Sequence, residues 1–215
     1  MELNVEDISA LNKSAELDER NVDANPIRQF QIWFDEAMGR SLPLAEAMTL
    51  CTATGDGKPS ARMVLLKGVA ESGFVFYTNY RSRKARELDA NPFAALVFYW
   101  EPLERQVRVE GRVSRISADE SDKYFQTRPR ESQLGAIASP QSDVIESREV
   151  LEQEFQELEE NYRDHQTIER PAHWGGYRLA PERIEFWKGR PGRLHDRLLY
   201  ELQADGSWKR TRLAP

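Results

Sequence analysis

Hydrophobic and polar positions change period several times along the chain. After Asn25-Pro26, a capping Asn and a first-turn Pro, the residues Ile27, Phe30, Phe34 and Met38 recur at helical spacing and predict a helix to about residue 40. The period then drops. Segments 48–54, 62–69 and 74–80 are short runs of β-branched, apolar and aromatic residues, separated by Gly55-Asp56-Gly57 and Ser72-Gly73, and read as strands joined by tight turns. A short helix is expected over 82–89, stopped by Asn91-Pro92. Segments 93–100 and 105–116 read as strands. In the second, Val107, Val109, Gly111 and Val113 alternate with Arg108, Glu110 and Arg112, giving one wet face. Ser117 and Glu120 form a capping box for a helix carrying Tyr124 and Arg128, which Pro129 must end or kink. Segment 148–162 is amphipathic, with Leu151, Phe155, Leu158 and Tyr162 on one face. Closing strands are expected over 173–179, 183–188, 198–203 and 208–213. The pattern predicts a mainly β chain with helical additions (α+β), built as an antiparallel barrel. An acidic arm over 1–24, read as flexible or as a surface helix, precedes a single domain over 25–215.

Composition narrows the function. The 215 residues carry 30 Lys+Arg against 36 Asp+Glu, a formal net charge of -6, which argues against a general nucleic-acid binder. The longest apolar run, 93–100, is too short to span a membrane, and the acidic start does not read as a signal peptide, so a cytoplasmic protein is expected. A single cysteine, Cys51, excludes an internal disulfide and a cysteine-based zinc site, and no metal is expected.

The candidate chemistry lies in where the cations sit. Arg81, Arg83, Lys84 and Arg86 gather where the 82–89 helix begins, a poor place for positive charge unless an anion joins them. Arg62 and Lys67 flank Met63-Val64-Leu65-Leu66 and, on one strand, point to opposite faces, so they can serve two different anions or simply reach solvent. Tyr124 and Arg128 share a helical face, and Ser132 joins them only across a bend at Pro129. Arg190, Arg193 and Arg197 surround His195, a group suited to polar contact or proton transfer beside an anionic ligand. Each feature alone also fits an ordinary solvated surface.

Their order along the chain is more specific. Arg62-Met63-Val64-Leu65-Leu66-Lys67, Phe76-Tyr77-Thr78-Asn79, Ser82-Arg83-Lys84 and Glu104-Arg105-Gln106-Val107 are followed by Tyr124-Phe125 and Arg128-Pro129-Arg130. Then come Ser132-Gln133-Leu134-Gly135-Ala136, Ser139 with Gln141-Ser142, Trp174-Gly175-Gly176-Tyr177, Ile184-Glu185-Phe186-Trp187 and Arg193-Leu194-His195-Asp196-Arg197. From about Pro26 to Pro215 the chain closely resembles the pyridoxamine (pyridoxine) 5′-phosphate oxidase family. The resemblance implies an FMN-binding split β-barrel, a homodimer with FMN sites at its interface, and pyridoxamine and pyridoxine 5′-phosphates and dioxygen as substrates. It implies that Arg62, Met63, Val64, Leu65, Leu66, Lys67, Tyr77, Thr78, Arg83 and Lys84 hold FMN from one chain. Gln106, Gln141, Ser142, Trp187 and Arg197 would complete that site, some from the partner chain. Lys67, Tyr124, Arg128 and Ser132 would grip the substrate phosphate, while Arg193, Leu194 and His195 would lie against the pyridine ring, with Arg193 and His195 in the catalytic roles.

Two departures from the family pattern concern the lid. The arm usually bears an Arg and a Tyr, and Ser9 and Asn12 stand at those positions; Leu44-Ala45, with Glu46 beside them, replace an acidic-Pro pair. A split-barrel flavin reductase acting on another donor, or a non-enzymatic binder of FMN or pyridoxal phosphate, are the alternative readings.

Overall fold

In the computed structural model, residues 17–215 are described, and the lid positions Ser9 and Asn12 fall outside them. The first helix, α1 (Pro26–Gly39), opens as its sequence dictates: the Asn25 side chain accepts from the Ile27 and Arg28 amides. Its buried stripe is Ile27, Phe30, Trp33 and Ala37. Met38, expected on that stripe, is 50% exposed, because the face turns through Trp33 rather than Phe34.

Nine strands follow, all paired antiparallel: β1 (Ala47–Ala53), β2 (Pro59–Leu65), β3 (Gly68–Ala70), β4 (Gly73–Asn79), β5 (Phe93–Trp100), β6 (Arg105–Arg115), β7 (Trp174–Lys188), β8 (Asp196–Leu202) and β9 (Trp208–Arg212). The sheet runs β2-β1-β5-β6-β7-β4-β3, with β8 also on β7 and β9 on β8. Thus β7 is the branch point: its first half pairs with β4, its second half with β8, and β6 runs along both. A sheet that divides its edge in this way curls into a split barrel.

Two strand expectations are corrected here. Segments 173–179 and 183–188 are one strand, because Pro181 sits at a bulge between Glu110 and Gly111 of β6, where a missing amide costs no ladder bond. Gly111 is required there, since a Cβ would be driven into the Ala180 carbonyl. Segment 62–69 is two strands. The chain leaves β2 after Leu65, buries Leu66 and re-enters the sheet as β3.

Inside the barrel Phe30, Phe74, Phe76, Phe98, Phe186 and Tyr200 are fully buried, each stabilising the fold by roughly 1.5–3 kcal/mol on transfer grounds. The Tyr200 hydroxyl donates to the Asp23 carbonyl at 2.7 Å, Leu17 is buried in the same core, and Glu19 pairs with Arg212 at 2.7 Å. The described end of the expected arm is therefore anchored on β8 and β9.

Among the described residues four further helices follow: α2 (Arg83–Ala90), α3 (Ala118–Thr127), α4 (Arg130–Ala138) and α5 (Arg148–Tyr162). A second, smaller core of Phe125, Leu134, Ile168 and Trp174 joins α3 and α4 to the start of β7, with Phe155, Leu158 and Tyr162 of α5 packed on it. Among the described residues no helix is long and apolar enough to cross a membrane, and no group of metal-ligating side chains occurs.

Candidate active site

A cleft of about 480 Å³ opens where β2, β4 and α2 meet α3 and α4. Its lining includes Met63, Val64, Leu65, Lys67, Tyr77, Thr78, Lys84, Tyr124, Arg128, Ser132 and Gln141, eleven positions the sequence singled out. The bend needed to bring Ser132 toward Tyr124 and Arg128 is real: α3 stops at Thr127, and Pro129 caps α4.

At one end Lys84 is only 8% exposed. Its Nζ donates to Thr78 Oγ1 at 3.1 Å and to Gln141 Oε1 at 2.9 Å, both neutral acceptors. Burial first, and then the nearby Arg62 charge, push its pKa down to about 8. A phosphate at this end would reverse both effects. Behind it lies Glu87, 5% exposed, which takes Arg62 Nη2 at 3.2 Å and Arg83 Nε at 2.8 Å.

At the other end Tyr77 and Tyr124 stack at 3.8 Å, with Trp174 parallel to Tyr77 at 5.3 Å. Arg128 lies over Trp174 at 4.5 Å, and its buried Nη1 has no hydrogen-bond partner among the described residues. Burial lowers the Arg128 pKa. A buried, unsatisfied guanidinium nitrogen is costly unless a ligand completes it, and an anion does so best.

The remaining expected residues form a second group. Gln106, Trp187 and Arg197 are cross-strand neighbours in one row over β6, β7 and β8, which Tyr99 of β5, not singled out in the sequence, extends. Trp187 packs against the His195 ring at 4.7 Å, and His195 Nδ1 accepts the Arg190 amide at 3.1 Å. The intervening turn holds Gly192 and Arg193 at φ of 68° and 61°, a left-handed conformation that costs the glycine nothing but strains the arginine. None of Gln106, Trp187, Arg193, Leu194, His195 and Arg197 lines the cleft, nor does Ser142, which follows Gln141 with φ of 78°. Leu66 is buried in the core, and Arg62 and Arg83, which do not line the cleft, pair with Glu87. Sequence reasoning missed Trp174 and Glu87. Trp174 was read only as part of a Trp-Gly-Gly segment, while the Arg83 to Glu87 spacing of four was an available signal.

A family profile described as pyridoxamine 5′-phosphate oxidase matches residues 34–162, and one described as pyridoxine 5′-phosphate oxidase C-terminal dimerisation region matches 174–215. The chain belongs to the pyridoxamine 5′-phosphate oxidase family. It is 59% identical over 199 residues to a pyridoxine/pyridoxamine 5′-phosphate oxidase of Trichormus variabilis, covering 93% of this chain and 92% of that one. A protein of the same name from Cyanothece sp. is 54% identical over the full length of both. Another, from Burkholderia lata strain 383, is 58% identical over 94% of both. Among solved structures, PhzG from Burkholderia lata 383, in complex with tetrahydrophenazine-1-carboxylic acid, superposes with a TM-score of 0.88 at 32% identity, over 94% of this chain and 98% of that one. An FMN-binding protein of Nostoc punctiforme, related to pyridoxamine 5′-phosphate oxidase, shares the fold at a TM-score of 0.70 and 21% identity, over 89% and 98% of the two chains. The protein is an oxidoreductase of this family with the split-barrel fold.

Proposed function

We propose that the protein is an FMN-dependent oxidase that converts pyridoxamine 5′-phosphate and pyridoxine 5′-phosphate to pyridoxal 5′-phosphate. Dioxygen is the acceptor, hydrogen peroxide forms, and the amine substrate also takes up water, which hydrolyses its imine, and releases ammonia. The observation that carries this reading is the cleft with two cationic ends: Lys84 and Arg128 line it, and neither has a carboxylate partner among the described residues. FMN and the substrate each bring one phosphate, of about -1.5 to -2 charges near neutral pH.

The residues fit FMN at the Lys84 end, where the buried ammonium and the Thr78 hydroxyl line the cleft and both donate to Gln141 Oε1, an acceptor that a phosphate would replace. Arg128, Tyr124, Ser132 and Lys67 then hold the substrate phosphate at the other end. The chemistry that bound FMN supplies is acceptance of a hydride from the substrate's 4′ carbon and delivery of the electrons to dioxygen. The protein's own part is position and charge. Because His195 Nδ1 is an acceptor, the neutral ring carries its proton on Nε2 and can offer it to the substrate. Arg193 clamps the substrate and stabilises charge.

A homodimer completes the site. Met63 and Leu65 share one outer sheet face with Val97, Tyr99, Gln106 and Trp187. From β2 the row residues lie three strands away on β6 and four away on β7, roughly 14–19 Å along the sheet at the usual strand spacing. One chain therefore keeps its two groups apart, and a two-fold copy laid on this face brings one group against the other. Met63 (62%), Phe93 (47%) and Tyr99 (58%) are exposed there, apolar surface that a partner would cover.

The test is aerobic incubation of the FMN-loaded protein with pyridoxamine 5′-phosphate, following aldehyde absorbance and peroxide. Absence of both at high enzyme concentration rejects the proposal. The likeness to PhzG favours a second reading, in which the Arg128 end takes a carboxylate on a reduced tricyclic substrate. Identity of 58% to the Burkholderia lata oxidase against 32% to PhzG of the same strain weighs for the phosphate ester. Oxidation of a tetrahydrophenazine carboxylate, without turnover of either B6 phosphate, would select the second.

A further inference from the structure

The buried carboxylate of Glu87 stands where an anion site should have none. It is 5% exposed on α2, one turn beyond Arg83 and Lys84. Oε1 accepts Arg83 Nε at 2.8 Å. Oε2 accepts Ser60 Oγ at 2.6 Å, Thr52 Oγ1 at 2.5 Å and Arg62 Nη2 at 3.2 Å. Arg62 donates in turn to both hydroxyls, with Nη2 on Ser60 Oγ at 2.5 Å and Nη1 on Thr52 Oγ1. Burial alone would raise this carboxyl, yet the bonds from Ser60, Thr52, Arg83 and Arg62 bring it to about 2, so it is charged at any working pH.

Left to themselves, Arg62, Arg83 and Lys84 would repel one another, and two long side chains would sample many rotamers. The network removes both problems. It fixes Arg62 through four acceptor atoms or groups on β1, β2 and α2: the Leu50 carbonyl at 3.4 Å, Thr52, Ser60 and Glu87. It also sets the charge. Three cations and one carboxylate leave a formal +2, which matches a phosphate dianion.

We propose that Glu87 is a positioning residue for a phosphate monoester: it locks Arg62 and Arg83 behind Lys84 and trims the pocket's charge to that of the phosphate. This rests on the FMN reading above. Glu87 touches no ligand itself; it acts through the arginines. The consequence is selectivity for the phosphorylated flavin over riboflavin, since only the phosphate feels the network.

The experiment compares FMN and riboflavin binding, by flavin fluorescence quenching, to the flavin-stripped full-length protein and to Glu87→Gln, with thermal unfolding of each. The wild type should prefer FMN. Glu87→Gln should bind FMN at least tenfold more weakly with riboflavin affinity within twofold, so that selectivity collapses. Equal losses for both flavins would show a merely structural role and overturn the proposal, as would unchanged or tighter FMN binding. Should Glu87→Gln fail to fold, Ser60→Ala removes one carboxylate bond and one Arg62 bond; selectivity lowered severalfold supports the proposal, and unaltered selectivity overturns it. A wild type that shows no FMN preference rejects instead the reading on which this rests.

Discussion

At the Lys84 end of the cleft the arginines are already engaged with the protein; at the Arg128 end a buried guanidinium nitrogen waits for a partner. Glu87, Thr52 and Ser60 hold Arg62, Glu87 also holds Arg83, and Thr78 and Gln141 hold Lys84. Arg128 rests on the face of Trp174 and leaves Nη1 unsatisfied. The first arrangement suits a cofactor that stays, because its side-chain order is set in advance. The second suits a substrate that must leave, because its driving force appears only on binding.

The largest expected effect falls outside both ends. Arg193→Ala should lower turnover by roughly 100-fold or more, on the scale of losing one charge-stabilising donor. FMN should stay bound, and a colourless Arg193→Ala protein would count against the assignment. The two ends should then separate cleanly. Lys84→Met should purify without its yellow colour, whereas Arg128→Met should keep FMN and raise KM for pyridoxamine 5′-phosphate. A hydrogen bond to a charged group contributes about 1.5–3 kcal/mol, so that rise should be about 10- to 100-fold. If both variants lost FMN equally, the cleft would have one functional end.

Acidity distinguishes the ends further. Burial and then the nearby Arg62 charge push the Lys84 pKa down to about 8, and a phosphate at this end favours the protonated form. FMN affinity should therefore hold near pH 7 and fall as pH rises through 8 to 9.5. A titration series in that range checks it, and Lys84→Met should remove the dependence. The smallest effect should come from Trp174→Leu. Removing a cation–π contact, about 0.5–2 kcal/mol, should raise KM severalfold and leave FMN in place.

Much of this was legible in the residues. Strand β5 and helix α5 occupy the expected segments, because each is a clean run bounded by Pro92 and the Glu101-Pro102 turn, or by a strict apolar stripe. The break expected in β7 was not there, since a proline ends a strand only where its missing amide is needed, and the bulge opposite Gly111 removes that need. Local periodicity cannot see such long-range pairing. In the site, spacing brought Tyr124, Arg128 and Ser132 together, but not Arg62 with Glu87, which are separated by 25 positions and meet only because β2 packs near α2. The separation of the Gln106, Trp187 and Arg197 row from the cleft was likewise invisible. Motif order grouped the residues without saying that β2 lies three and four strands from β6 and β7, roughly 14–19 Å at the usual strand spacing.

If one cleft recognises two phosphates, one on the cofactor and one on the substrate, the substrate's phosphate must govern turnover. The most direct measurement is steady-state oxidation, by the FMN-loaded protein in air, of pyridoxamine 5′-phosphate beside unphosphorylated pyridoxamine. Aldehyde and peroxide should form in equal amounts, with kcat/KM for the phosphate ester at least about 100-fold higher, the weight of roughly 2.7 kcal/mol of phosphate contact. Equal rates with the two amines, or no aldehyde from the phosphate ester, would contradict it.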